Sequence, residues 1–244
     1  MKSTTMTATA RIALFAVALM GCTMLAKADN RINYTYDNAH LYTAGNGSTT
    51  EKIHSIDIDW VNGDIKVVFG DVKVPTWKET ATPKNEDNHL KMHYLIHNGE
   101  LEIRFCQSGH WQTPKGIQKD LLLTLPRNSE YRNINIETVN GNIRVAVRAA
   151  EIGIETVNGD VNVHNLLPAK KINIETVNGS LTVVQPADKD FVAEYETVNG
   201  KFSSDIPGTY SHSRYDGEFH AGTNPVTKID LETVNGNMRI EKAK

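Results

Sequence analysis

The five residues Glu-Thr-Val-Asn-Gly occur five times in this chain, beginning at Glu137, Glu155, Glu175, Glu196 and Glu232, each between two alternating apolar runs. A looser copy, Asp-Trp-Val-Asn-Gly, starts at Asp59. The valines of these six units stand at 61, 139, 157, 177, 198 and 234, so the steps through the second half are 18, 20, 21 and 36 residues. A period near 20 marks a structural repeat, in which each unit buries its apolar face only by stacking on its neighbours. Tyr215-Asp216-Gly217 divides the long last step, and His97-Asn98-Gly99 ahead of Leu101, Ile103 and Phe105 reads as a second degenerate unit.

Within one unit, Ile134 and Ile136 alternate with polar residues before the turn, and Ile143 and Val145 do so after it. That pattern gives two short strands with one apolar face each. Asn140-Gly141 supplies the corner, because Asn tolerates unusual backbone angles and Gly carries no Cβ. A hairpin fits the same residues and would oppose Glu137 to Arg144, Asp59 to Lys66 and Glu232 to Arg239. The sameness of the repeats favours a solenoid instead. Coils stacked at roughly 4.8 Å place like on like, which gives Glu, Thr, Val and Asn a reason to recur unchanged.

The expected fold is therefore all-β, a β-solenoid of roughly 20-residue coils resembling a single-stranded β-helix, with a less regular N-terminal half. Residues 126–244 make about six coils. Asn62, Asn140, Asn158, Asn178, Asn199 and Asn235 form a structural ladder, with those of the consecutive coils at 140, 158, 178 and 199 stacked in that order. The same stacking brings Glu137, Glu155, Glu175 and Glu196 into an outward column. Arg144 and Arg239 answer this charge for their own units, whereas Asn162, Thr182 and Ser203 occupy the matching positions of the middle coils. The middle of the column is thus a candidate for gathering cations, against the alternative of glutamates splayed into water and screened by salt.

The N-terminus sets the compartment. Lys2 and Arg11 precede an apolar run from Ile12 to Leu25, and no acidic residue comes before Asp29, the layout of a secretory signal peptide over residues 1–28. The run is shorter than the ~20 residues that span a bilayer. Ala26-Lys27-Ala28 offers cleavage before Asp29; alternatively Leu19-Met20-Gly21-Cys22 resembles a lipobox that would leave Cys22 as a lipid anchor. Both place the mature protein in the bacterial envelope, periplasmic or exported in one case and a tethered lipoprotein in the other. Removing residues 1–28 takes Lys2, Arg11 and Lys27 from the 26 basic residues, leaving 23 against 29 acidic ones and a net charge of −6. Nucleic acid is excluded as a partner on that balance. The folded part keeps only Cys106, so it holds no internal disulfide.

Four segments follow: the signal, a polar lead-in at 29–55, an irregular β region at 56–125 interrupted by loops at Pro75 to Asn88 and Gln107 to Lys119, and the regular array from 126 to 244. Asn62-Gly63-Asp64-Ile65-Lys66-Val67, Gly99-Glu100-Leu101-Glu102-Ile103, the strand Asp120-Leu121-Leu122-Leu123-Thr124-Leu125-Pro126 and the serial Val-Asn-Gly coils together resemble the bacterial putative-adhesin domain of unknown function, over about residues 53 to 240. The resemblance implies a β-helix-like fold in an envelope protein, and no catalytic motif.

Other candidate sites are weaker. His89, His93 and His97 have helical metal-ligand spacing, but Leu90, Met92, Tyr94 and Ile96 alternate between them as a strand, which sets the imidazoles too far apart for one ion. Trp77 and Trp111 fall in the two loops and Trp60 takes the Thr position of its repeat, all three suited to closing the end of a core. Asp57, Asp59 and Asp64 lack calcium-loop spacing. No hydrolase, metalloprotease or phosphate-loop motif occurs, and neither a metal site nor a cofactor is implied. The reading is a non-catalytic envelope protein, an adhesin-like binding surface or structural scaffold for an envelope protein or polysaccharide. The alternative is a polysaccharide lyase or hydrolase on a β-helix, which requires acids from neighbouring coils converging with Arg or Lys.

Overall fold

The computed structural model describes residues 24–26, 32–84, 86–109, 117–186, 188–211 and 215–243. Cys22, Trp111 and the cleavage motif around Ala28 lie outside them. Two sheets face one another, one of eleven strands and one of nine. Each repeat crosses from the first to the second at its Asn-Gly corner, making a flattened two-stranded coil. In chain order the coils are the first (Ser55–Asp59 with Ile65–Gly70), second (Tyr131–Asn140 with Ile143–Val147), third (Ala149–Asn158 with Val161–Asn165), fourth (Lys171–Asn178 with Leu181–Gln185), fifth (Phe191–Asn199 with Phe202–Ser204) and sixth (Thr227–Asn235 with Met238–Lys242).

All neighbouring coils pair in parallel and in identical register, so Ile134 lies on Ile152, Ile152 on Ile172 and Ile172 on Ile229. Alternation sends these residues, with Ile136, Ile154, Ile174, Val145, Val163 and Val183, into a core where each is at most 2% exposed. The solenoid expected from the period is the fold observed, with one difference in order. The sixth coil lies between the fourth and the fifth, giving a spatial order of first, second, third, fourth, sixth, fifth. Asn178 consequently stacks on Asn235 rather than on Asn199. The repeats are interchangeable in register, so sequence adjacency alone does not decide which coil lies on which.

Antiparallel strands close both ends. At the start, His93–His97 folds back on Glu100–Arg104, which pairs with the first coil, and Thr76–Thr82 folds onto Gln118–Pro126. His97-Asn98-Gly99 is therefore a hairpin turn, with Asn98 at φ 50 and Gly99 at φ 75, and not a coil corner. At the far end Asp216–Ala221 runs antiparallel to the fifth coil and Thr209–Ser211 lies outside it, so the unit at Tyr215-Asp216-Gly217 is likewise a cap. Part of the expected loop at 75–88 is the strand Thr76–Thr82, and it buries Trp77 edge-on to Tyr94.

The first excursion is pinned by a group that sequence gives no reason to bury. Lys119, 1% exposed, donates to the Leu90 carbonyl at 2.8 Å and to the Phe105 carbonyl, pairs with Glu79 at 3.1 Å and lies over the Phe105 ring. Burial depresses its pKa and Glu79 opposes that shift. Trp60 closes the same end, its indole N–H donating to the Lys119 carbonyl at 2.7 Å.

Candidate binding face

Glu137, two residues before Val139, alternates outward from the eleven-stranded sheet while Ile136 and Thr138 point in. Register then repeats the outward position on every neighbour. Asp59 lies opposite Glu137, Glu137 opposite Glu155, Glu155 opposite Glu175, Glu175 opposite Glu232, Glu232 opposite Glu196 and Glu196 opposite Asp216. Seven carboxylates thus occupy seven successive strands at ~4.8 Å spacing, where each adjacent pair of charges repels by roughly 1 kcal/mol in water and more against a low-dielectric surface. The expected column of Glu137, Glu155, Glu175 and Glu196 is set in a longer file, with Glu232 between Glu175 and Glu196.

The counter-ions are not those expected. The corner sends the two halves of each coil to different sheets, so Arg144 and Arg239 stand on the opposite sheet from Glu137 and Glu232; Arg239 instead pairs with Asp205 at 3.0 Å. The file ends in Arg104, placed opposite Asp59 by the hairpin strand Glu100–Arg104. Its guanidinium reaches Asp57 and Glu102, each at 2.7 Å, under the ring of Tyr42, whose hydroxyl donates to Glu102. Further along, Lys228 pairs with Glu194 at 2.9 Å and Asp230 at 3.3 Å, and Lys171 with Asp230 at 3.4 Å. Among the described residues no ion pair reaches Glu155. Burial pushes its carboxyl up to about 7, and the flanking Glu137 and Glu175 add to the shift. Asp59 also rises to about 7 through burial, with Arg104 pulling down and Glu137 and Asp57 pushing up. Glu137 moves in the same direction, mainly through burial.

The corner beside the file carries an amide row. Asn158 donates to Asn140 at 2.8 Å, Asn178 to Asn158 at 2.9 Å, Asn235 to Asn178 at 2.8 Å and Asn199 to Asn235 at 2.8 Å. Asn62 sits beside Asn140 through its backbone, while its amide donates to the Ile117 carbonyl. Asn140, Asn158, Asn178, Asn235 and Asn199 are exposed at the coil corners, and Asn62 is half-buried. The glycines that follow are packed more tightly. A Cβ on Gly141, Gly159, Gly179, Gly236 or Gly200 would come within about 2 Å of the carbonyl oxygen of the neighbouring glycine in the stack. One side-chain atom cannot fit between corners at strand spacing.

Two sheets of parallel, in-register coils with Val-Asn-Gly corners match the Toastrack DUF4097 profile over residues 115–241, a little over half of the 244 residues. The chain belongs to the Toastrack DUF4097 family. Among solved structures, this Toastrack protein is similar to a putative cell adhesion protein from Clostridium sporogenes ATCC 15579 at 12% identity and a TM-score of 0.60, covering 82% of this chain and 100% of that one. It also matches putative adhesins from Bacteroides fragilis NCTC 9343, at 9% identity, TM-score 0.36 and coverage of 81% and 97%, and from Parabacteroides distasonis ATCC 8503, at 11%, 0.38, and 83% and 97%. The first of these likenesses establishes the fold. No curated protein matches the chain at a significant level.

The remaining candidates are dispersed. His93 is buried in its strand with its ring bonded to the Lys91 carbonyl, His97 is exposed, and His89 lies outside that strand. Among the described residues no group of His, Cys, Asp and Glu is arranged to hold a metal ion, and no helix is long and apolar enough to cross a membrane. Cys106 is buried, and burial lifts its thiol to about 12, so it is inert rather than reactive. Sequence reasoning missed Arg104 and Lys119. Each stands in an alternating run as an ordinary charge, and only pairing with strands tens of residues away gives it a role.

Proposed function

We propose that this Toastrack protein is a non-catalytic component of the bacterial cell envelope that presents the outer face of its eleven-stranded sheet as an adhesin-like binding surface. The observation that carries the reading is the unbroken file of carboxylates from Asp59 to Asp216, held in one line by strand register. Such a face suits an extended partner with matching cationic spacing, an envelope protein or a polysaccharide bridged by cations. The fold shared with a putative cell adhesion protein supports the same class. Around Arg104, where acids from neighbouring strands meet an arginine, the guanidinium is engaged by Asp57 and Glu102, which makes it the counter-ion of the file rather than a group waiting for substrate.

Export is part of the proposal. Mature protein from the native host is expected to begin at Asp29 and to fractionate with periplasm or medium; palmitate label that disappears in Cys22→Ser would show a lipoprotein instead. Immobilised protein should retain envelope fractions through the acidic face, and Glu155→Gln/Glu175→Gln should reduce that retention. Equal retention by the double variant would remove the face from the function, and new reducing ends or unsaturated products from envelope polysaccharides would replace the reading with an enzyme.

A further inference from the structure

The stack of corners is finished at one end and unfinished at the other. Each interior corner hands the next coil the same three contacts. Gly141 N–H donates to the Asn158 carbonyl, Ile143 N–H to the Asp160 carbonyl, and the Asn158 amide to the Asn140 side-chain oxygen. The set recurs from Gly159 and Val161 to the fourth coil, from Gly179 and Leu181 to the sixth, and from Gly236 and Met238 to the fifth, with backbone distances of 2.8 to 3.1 Å. At the first coil the other side is covered, since Lys119 and Leu121 donate to the carbonyls of Asn62 and Asp64.

Among the described residues the fifth coil has no such cover. Its half in the eleven-stranded sheet is capped, with Thr197 N–H donating to the Tyr215 carbonyl, but Phe202–Ser204 is the edge strand of the other sheet and pairs only with the sixth coil. Gly200 N–H, Phe202 N–H and the side-chain oxygen of Asn199 therefore face outward without the coil that every equivalent group has. Asn199 and Gly200 line a concavity of about 370 Å³ together with Val198, Lys201, Tyr215 and Asn237.

We infer that this open corner is a strand-acceptor site for an extended segment of a partner protein carrying Asn-Gly at its bend. The four junctions that carry the full set define the occupant. Two main-chain carbonyls must accept from Gly200 and Phe202, an asparagine amide must donate to Asn199, and the next residue must be glycine because it would lie on the Gly200 carbonyl as each glycine lies on its neighbour in the stack. Tyr215, about half exposed, walls the site. The added strand extends the nine-stranded sheet by main-chain bonds, and the corner supplies the sequence preference.

The probe is an end-blocked synthetic peptide with the sequence of residues 171–184, titrated into uniformly ¹⁵N-labelled protein. Saturable shifts of the Gly200 and Phe202 amides are expected. Replacing the peptide's corner residue Asn178 by Ala, or Asn199→Ala in the protein, should each weaken binding about 5-fold, and together no further, since both remove one hydrogen bond. A peptide with Gly replaced by Ala should not bind. Glu155→Gln/Glu175→Gln should bind the peptide normally, which separates this site from the acidic face. Shifts confined to the fourth and sixth coils would mean exchange with the sixth coil and overturn the inference. So would an Ala-for-Gly peptide that binds equally well, an oligosaccharide that moves Tyr215 where the peptide does not, or no saturable binding at millimolar peptide.

Discussion

Replacing Gly159 by Ala tests what holds the corners together. A Cβ at this position would lie 2.1 Å from the Gly141 carbonyl oxygen and 2.7 Å from its carbon, both backbone atoms, and Gly159 has φ +150. Relief requires the third coil to lift from the second by roughly 1 Å at the corner, which stretches the 2.9 Å bonds from Gly141 N to Asn158 O and from Ile143 N to Asp160 O. Overpacking of this kind costs about 1–3 kcal/mol, a backbone conformation unsuited to Ala about 1–3, and the weakened bonds about 1. The total is roughly 3–7 kcal/mol, a large part of an ordinary domain's stability, and lowers Tm by roughly 6–28 °C. Asn158→Ala is the comparison. It deletes two amide bonds of 2.8 and 2.9 Å, but Asn158 is exposed and water replaces both partners, so about 1 kcal/mol and roughly 2–4 °C are expected. Thermal melts followed by circular dichroism rank the two. If Gly159→Ala melts no lower than Asn158→Ala, close backbone packing is not what fixes the corner.

Three further outcomes are expected. Thr156, fully buried, has a hydroxyl without a hydrogen-bond partner, so Thr156→Val should raise stability by about 1 kcal/mol in the same melts, and a loss would point to a bond that the hydroxyl makes. Glu155 titrates higher folded than unfolded, so the folded state holds the extra proton and stability falls as pH rises from about 4.5 to about 7. Glu155→Gln should accordingly be more stable than the parent at pH 8, by about 1 kcal/mol once partial exposure and salt are allowed for, and no more stable at pH 4; an advantage independent of pH would remove the carboxylate from the explanation. Finally, Asn178→Cys/Asn199→Cys should not cross-link in the full chain, where the sixth coil separates the two positions by roughly 9.6 Å, but should do so in a chain ending at 226 if the fourth and fifth coils can meet directly.

Much of this molecule was legible in the chain because its central half is local. The period of 18 to 21 residues, the alternation about each corner and the identity of the repeats specify two strands per coil, parallel stacking and shared register. Membership of the Toastrack DUF4097 family rests on the same residues. What the chain did not disclose is everything decided by which element meets which. Tyr215-Asp216-Gly217 and His97-Asn98-Gly99 have the composition of corners, but the first opens an antiparallel cap strand and the second is a hairpin turn, because the strands around them close the ends of the core. Arg104 acquires its place at the head of the carboxylate file only through the register of Glu100–Arg104 with the first coil. Arg144 and Arg239 were misplaced for the converse reason, since a corner and a hairpin share side-chain parity but differ in the sheet that receives the second strand.

The out-of-order sixth coil has a consequence for how the protein comes to be folded. As the chain emerges, the fourth and fifth coils are complete before Thr227 exists, and their registers already match, Glu175 against Glu196 and Asn178 against Asn199. The nearest arrangement open to the growing chain is thus the consecutive one, and the finished structure requires any such contact to yield to a wedge made from residues 227–242. In an array whose repeats were added in order, the newest unit would simply dock on an exposed edge and fray from it first. In this protein the sixth coil has two edges to satisfy, and it becomes the piece that joins the fifth coil to the rest of the stack.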